Sequence, residues 1–210
     1  MSSFEMMVDQ LSAKLSDPLP GPEVQYAMAP QMRLPKETYL QRDPNPRESA
    51  VMILLYPHGI EPHLVLIERP TYPGAHSGQV SFPGGRVEEE DDTLRETALR
   101  ETEEEVGVKQ EAIQVLGELT DLYIPASRFM VYPYVGYVAE RPVFVPEEKE
   151  VAAILEVPVK YLLQPHVRKS TKMKLFNNQF VTTPYFDVQG RIVWGATAMM
   201  LNEFLHITNA

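Results

Sequence analysis

The sequence contains no cysteine. Disulfide frameworks, thiol nucleophiles and cysteine-ligated metal centres are therefore excluded, and the composition fits a reducing compartment, with cytoplasm as the expected location. A long apolar run is also missing. The longest, residues 50–55, falls far short of the roughly 20 residues that a membrane-spanning helix needs, so no membrane partner is expected. The first 17 residues mix acids, Lys14 and scattered hydrophobic residues without the basic-then-apolar order of an export signal. Positive charge is scarce: 19 Lys and Arg face 29 Asp and Glu, a formal net charge of −10. That balance argues against a nucleic-acid partner, because backbone binding relies on clustered cations displacing counterions. The five histidines lack the close pair spacing of a zinc site, and neither a Walker loop nor a dinucleotide-binding glycine fingerprint occurs.

What remains is one acidic chain of 210 residues, long enough for one decorated core and too short for two full enzyme domains. Residues 4–15 carry Phe4, Met7, Val8, Leu11 and Leu15 at helical spacing, which predicts an amphipathic helix. Seven prolines between Pro18 and Pro46 then predict an extended surface arm with little regular structure. The expected division is an N-terminal helix and arm over residues 1–47, packed on a core domain over residues 48–210. Strand-like runs at 50–56 and 63–68 read as a hairpin, residues 81–85 as a break in regular structure, and 93–106 as a helix. Thr93 and Glu96 form a capping-box pattern at the start of that helix, and Gly107 suits a left-handed end. Further strands are expected at 113–119, 130–138 and 143–145, a helix interrupted by Pro158 at 152–163, a hairpin at 176–186 and a closing helix at 196–207. The fold class is α+β, a mixed sheet sandwiched between helices.

Much of the negative charge sits between Glu88 and Glu105. At about 100° per residue from Leu94, the side chains of Leu94, Ala98, Leu99, Thr102 and Val106 form one stripe able to pack on a sheet. Glu101, Glu104 and Glu105 share the edge beside it. Like charges about 6 Å apart repel by roughly 0.7 kcal/mol even in water, and by several-fold more near protein. A solvated acidic face is one reading of this pattern; a divalent cation among hard oxygen ligands, Mg²⁺ or Mn²⁺, is the other.

The sequence before the helix favours the cation. Phe82-Pro83-Gly84-Gly85, followed by Arg100-Glu101-Thr102-Glu103-Glu104-Glu105-Val106-Gly107-Val108, resembles the Nudix box, Gly-x5-Glu-x7-Arg-Glu-U-x-Glu-Glu-x-Gly-U with U apolar. Two positions depart from it. Counting back from Arg100 places the earlier Glu of the box on Asp92, with one extra residue in the loop after Gly85, and Thr102 replaces an apolar residue. The lengthened loop resembles the coenzyme A pyrophosphatase branch, as does the upstream spacing of Arg69, Gly78 and Phe82 to Gly85; Gly74 stands where that motif has a second Arg.

The resemblance implies a Nudix fold and a metal-dependent pyrophosphohydrolase acting on a small molecule with a diphosphate group. Glu101, Glu104, Glu105 and the Gly85 carbonyl would bind metal. Arg100 would orient a carboxylate, and Glu150 would add a ligand or act as base. Arg69, Gly78, Phe82, Gly84 and Gly85 would contact substrate. The expected substrate is coenzyme A or an acyl-coenzyme A, cut to 3′,5′-ADP and a phosphopantetheine product. ADP-ribose, dinucleoside polyphosphates and nucleoside triphosphates are the rival substrates, and a catalytically silent ligand-binding module is the rival of another class. The N-terminal helix and arm are compatible with a homodimer. Three further features have plainer alternatives: Arg168, Lys169, Lys172 and Lys174 as a phosphate-binding stretch or a solvated strand edge, Tyr132 and Tyr134 as an adenine platform or sheet packing, and His76 as a polar residue near the active loop.

Overall fold

The computed structural model describes residues 2–73, 76–174 and 180–209, with the Lys174 side chain excepted. Gly74 and the start of the expected 176–186 hairpin lie outside the described residues.

The sheet is organised by its two longest strands. β1 (Arg47–His58) and β2 (Glu61–Glu68) form an antiparallel hairpin in which Leu55 faces Leu64 and His58 faces Glu61. Both strands are buried on both faces, so they read as continuous apolar runs rather than alternating ones. Ile53, Leu55, Leu64 and Leu66 point into one core; Met52, Leu54, Tyr56, Val65 and Ile67 point into the other. This two-residue alternation makes a three-layer sandwich.

Around the hairpin lie β3 (Val80–Ser81), β4 (Gly84–Arg86), β5 (Gln114–Glu118), β6 (Leu122–Ile124), β7 (Phe129–Tyr137) and β8 (Ala153–Pro158). The main path runs β3-β2-β1-β7-β5, with β4 also pairing β1, β6 pairing β7 and β8 pairing β2. Only β1 and β7 pair in parallel among the described strands, so the sheet is mixed. One face carries α4 (Leu94–Val106), whose Ala98 and Val106 enter the core with Met52 and Leu54. The other carries α1 (Ser3–Lys14) and α6 (Gly195–Asn209). A separate antiparallel sheet, β9 (Arg168–Lys174), β10 (Phe180–Val188) and β11 (Arg191–Trp194), packs Phe186, Val188 and Val193 against the α6 side.

Four expectations need correction. Residues 152–163 form β8 and then the single turn α5 (Val159–Leu162), not an interrupted helix. Leu155 and Val157 enter one core and Ile154 the other, a period of two that a short run rich in helix-forming residues conceals. Pro158 ends the strand and precedes the turn. Residues 143–145 are not a strand. The Val145 N–H bonds to the Val106 carbonyl and the Glu147 N–H to the Glu105 carbonyl, so this segment satisfies the orphan end of α4. Residues 81–85 include parts of β3 and β4 instead of a plain break. The proline-rich arm contains α2 (Pro22–Gln25), a 3₁₀ turn at Tyr26–Met28 and α3 (Lys36–Leu40).

The arm is held by buried polar bonds as well as apolar contact. Glu203 of α6 is fully buried and accepts hydrogen bonds from Gly21 N (3.0 Å), Gln25 Nε2 (2.8 Å) and Thr120 Oγ1 (2.7 Å). Asn202 Nδ2 donates to the Val24 carbonyl at 2.7 Å. Further along, Lys36 pairs with Asp121 at 2.8 Å, and Tyr39 stacks on Tyr123 with centroids 5.5 Å apart. The arm's Gln31 N–H reaches the Thr182 carbonyl of β10. Replacing Glu203 with Ala strands three donors at once, so the variant should lose roughly 3 kcal/mol of unfolding free energy in denaturant titration; a loss below about 0.5 kcal/mol would show that the tether contributes little.

Candidate active site

α4 is placed by its ends. Thr93 caps its N-terminus, with Thr93 Oγ1 accepting from Glu96 N and Glu96 Oε2 accepting from Thr93 N. Gly107 closes it at φ 74°, where a Cβ would sit 2.9 Å from Val145 Cβ. Between these ends the apolar stripe lies on β1, which forces the adjoining edge of the helix against β4.

Two glycines make that approach possible. Gly84, at φ 151°, leaves no room for a Cβ, which would lie 2.4 Å from the Ala50 carbonyl oxygen. A Cβ on Gly85 would lie 2.4 Å from the Glu101 carboxylate. The Gly84 N–H donates to Glu105 Oε2 at 2.8 Å. The Gly84-Gly85 backbone therefore forms one wall of a carboxylate cluster. Glu101, Glu105 and Glu150 each offer an oxygen within 4.8 Å of the others. Glu150 comes from a different segment, where its N–H and that of Val151 both bond to the Glu147 carbonyl in a tight turn.

The structure brings together Glu101, Glu105, Glu150 and the Gly85 backbone. Glu104 lies outside that trio, with its side chain 57% exposed and Oε2 3.1 Å from Arg100 Nη1. Arg100 joins the two arrangements: Nη1 donates to both Glu101 Oε1 (3.0 Å) and Glu104 Oε2, while Nε and Nη2 grip Asp91 at 2.9 and 2.8 Å. Its guanidinium also donates to the Arg86 carbonyl. Asp91 further accepts from Thr97 Oγ1 and Glu88 N, and with Arg100 against it its carboxyl is held far below the usual range. Counting from the sequence indicated Asp92, which is exposed. Five acidic residues run from Glu88 to Asp92, and only the fold of the loop selects among them.

Arg69 Nη2 donates to the Gly84 carbonyl at 2.9 Å and lies 3.4 Å from Glu105 Oε1. It also lines a cleft of about 1260 Å³ together with Gly78, Gly84, Gly85 and His76. Gly78 turns at φ +63°. Phe82 lines the same cleft, but its side chain is fully buried in the core and acts as packing. Tyr132 bonds to Glu48, Tyr134 packs toward the α4 core, and neither lines the cleft. Lys169 pairs with Asp187, and Arg168 lies over the Phe186 ring, as in a solvated strand with local partners.

Electrostatics set the cluster apart from a solvated acidic face. Glu105 is 1% exposed, and its Oε1 accepts no hydrogen bond. Burial pushes its carboxyl up to about 7, against the opposing pull of Arg69 and the Gly84 N–H. Burial raises Glu101 as well, although Arg100 opposes it. An all-oxygen donor set with one unsatisfied buried oxygen fits a hard divalent cation. Without metal, the folded state binds a proton at Glu105 more tightly than the unfolded chain does. Its contribution is therefore most favourable below the ordinary pKa of 4.5 and is lost as pH rises through about 7, on the order of 3 kcal/mol in all. Metal-free protein should accordingly lose denaturant resistance between pH 5 and pH 8, and Glu105→Gln should flatten that slope; identical slopes in the two proteins would contradict the assignment.

Comparison with known proteins agrees with this geometry. The NUDIX domain family matches residues 46–177. The Nudix hydrolase NudL of Pectobacterium atrosepticum, itself uncharacterized, is 36% identical over 159 residues, spanning 75% of this chain and 80% of that protein. NudL of Yersinia enterocolitica is 35% identical over 160 residues, 71% of this chain and 75% of that protein. A MutT/nudix family protein from Enterococcus faecalis superposes with a TM-score of 0.53 at 15% identity, covering 89% of this chain and 74% of that one, and supports the fold alone. A glycine-walled carboxylate cluster on a box helix and the matching sequence profile thus lead to one conclusion: this chain belongs to the Nudix hydrolase family.

Proposed function

We propose that this Nudix pyrophosphohydrolase cleaves the diphosphate of coenzyme A or an acyl-coenzyme A, giving 3′,5′-ADP and the corresponding phosphopantetheine. The observation that carries the chemistry is the convergence of Glu101, Glu105 and Glu150 within 4.8 Å, with Glu105 Oε1 buried and accepting no hydrogen bond. The residues suit Mg²⁺ or Mn²⁺, held by Glu101, Glu105 and Glu150 with the Gly85 carbonyl, and with Glu104 nearby on the same helix edge. When bound, such an ion neutralises diphosphate charge and lowers the pKa of a coordinated water.

The protein's own groups then divide the remaining work. Arg100 holds Glu101 in place from one side, and the Gly84 N–H holds Glu105 from the other. Arg69, only partly buried at the boundary of cluster and cleft, is the cation for a substrate phosphate. Glu150, exposed where Glu101 and Glu105 are buried, is the base that takes a proton from the attacking water. That water adds to one phosphorus, the bond from phosphorus to the bridging oxygen breaks, and two phosphomonoesters leave. No covalent enzyme intermediate is needed. Coenzyme A is favoured over other diphosphates by the spacing from Arg69 through Gly78 to Phe82-Pro83-Gly84-Gly85. Residues 1–47 act in this reading as an arm docked on a catalytic domain of residues 48–210, supported by the tethers at Glu203 and Asn202.

Incubation with coenzyme A and Mg²⁺ or Mn²⁺ should release 3′,5′-ADP, resolved by chromatography. If ADP-ribose, a dinucleoside polyphosphate or a nucleoside triphosphate is cut and coenzyme A is not, the substrate assignment fails. Glu105→Gln should lower kcat by about a hundredfold or more while leaving the fold intact; an unchanged kcat would remove the cluster from the reaction.

A further inference from the structure

The floor of the cleft is one face of the large sheet. Val51 of β1 pairs with Gly84 of β4, Ser49 of β1 pairs with Val131 of β7, and Phe129 of β7 pairs with Ile124 of β6. Residues two apart on a strand share a face, and so do directly paired residues. These six, which all line the cleft, therefore form one surface running from β4 through β1 and β7 to β6. Three strand spacings make it roughly 14 Å wide. Arg69 and Gly85 stand at the β4 end. The arm and the turn between β6 and β7 close the other.

Four arginines line this space among the described residues, and three of them have a carboxylate. Arg69 lies 3.4 Å from Glu105, Arg86 3.8 Å from Glu88 and Arg191 2.7 Å from Glu68. Arg33 of the arm, at the β6 end, forms no ion pair among the described residues. Its Nη2 donates to the Tyr123 carbonyl, its guanidinium lies 5.6 Å from the Tyr26 ring centroid, and its Nε is buried with no hydrogen-bond partner. The backbone that carries it is fixed, with Gln31 N–H bonded to the Thr182 carbonyl and Arg33 N–H to the Pro30 carbonyl. In a chain with 29 acidic residues against 19 basic ones, a guanidinium with a hidden donor and no counter-ion is a cost that folding does not require. The neighbouring turn repeats the pattern. Ser127 lines the cleft, and its Oγ is buried with no partner. Arg47 Nη2 donates to the Ser127 carbonyl at 2.6 Å and likewise has no carboxylate among the described residues.

We propose that Arg33, with Ser127, is a specificity-determining subsite for a second phosphate of the substrate, a phosphomonoester on the ribose whose 5′ diphosphate lies at Arg69 and Gly85. The inference rests on that placement of the diphosphate, and it adds to the functional reading the residues that tell a phosphorylated ribose from a bare one. A phosphomonoester brings close to two negative charges and three acceptor oxygens, which match the Arg33 Nε, a free Arg33 Nη position and the Ser127 hydroxyl. The width of the floor suits the same occupant. A ribose with phosphate groups on its 5′ carbon and on a secondary hydroxyl bridges the two ends once the contacts to cation and guanidinium are added.

The nucleotides 3′,5′-ADP, 2′,5′-ADP and AMP contain no diphosphate bond, so each can be titrated calorimetrically into the protein with Mg²⁺ present and without turnover. The parent should bind 3′,5′-ADP about tenfold more tightly than AMP, as a charge-assisted pair at Arg33 would give. Arg33→Gln should bring that ratio near one by weakening 3′,5′-ADP and leaving AMP unchanged. Ser127→Ala keeps the test open where Arg33→Gln loosens the arm: it removes a hydroxyl with no partner in the fold, so the melting temperature should hold while the ratio falls about threefold. A preference for 2′,5′-ADP that Arg33→Gln abolishes supports the subsite and places the phosphate on the 2′ carbon. A parent ratio near one for both isomers, a ratio that both variants leave intact, or an Arg33→Gln effect equal for AMP and 3′,5′-ADP overturns the proposal. Coenzyme A left uncut while the ratios behave as described sinks the functional reading alone, whereas cleavage with a parent ratio near one sinks the subsite alone.

Discussion

The contact on which the site depends is the approach of the Gly84-Gly85 backbone to Glu101 and Glu105. It brings a main-chain N–H and two carboxylates into a space where a Cβ would overlap a carboxylate at 2.4 Å. The approach follows from packing. β4 pairs with β1 at Val51 and Gly84, and α4 lies over β1 through Ala98 and Val106. The helix edge next to its apolar stripe then has nowhere to go except against the glycines. Burial of Glu105 is thus a consequence of how the sheet and helix fit, and its raised pKa is a consequence of burial. The fold places carboxylates where their negative charge is costly, a cost that a cation would offset.

The surrounding ion pairs have a different task. Arg100 is shared among Asp91, Glu101 and Glu104, so its guanidinium is fixed by the Asp91 carboxylate before it meets the cluster. An arginine held by one carboxylate and directed at another can orient Glu101 without neutralising the whole site. Arg69 does the corresponding work at Glu105, but from the cleft side and at a longer distance of 3.4 Å, leaving guanidinium capacity for an incoming anion. The two arginines are therefore not equivalent.

Periodicity made much of this legible before any coordinates. The wheel of residues 93–106 put Glu101 and Glu105 beside an apolar stripe, and Thr93, Glu96 and Gly107 marked both ends of α4 as observed. The hairpin of β1 and β2 followed from two apolar runs around Gly59. Less local features were hidden. Residues 153–158 contain good helix formers, and only pairing with β2 makes them a strand. A helical wheel treats Glu104 like its neighbours, yet its side chain stays largely in solvent, outside the trio that contains Glu150. Asp91 and Asp92 differ by a single position, and the conformation of a loop with one extra residue decides which meets Arg100. For the strand, a contact distant along the chain overrides the local signal.

Buried side-chain polar atoms without a hydrogen-bond partner gather near the cleft. The central sandwich of β1, β2 and α4 is apolar and locally consistent. Most buried side-chain polar atoms without a hydrogen bond lie at the edge of that sandwich or beyond it: Glu105 Oε1 in the cluster, and Arg33 Nε, Ser81 Oγ and Ser127 Oγ on residues that line the cleft. Left-handed backbone at Met32 and His76 borders the same space. Each departure costs stability on its own, and a domain with a net stability of only about 5–15 kcal/mol tolerates few of them. Their concentration around one cleft, on the arm and on the loops before β4 and β7, makes that cleft the least self-satisfied part of the fold.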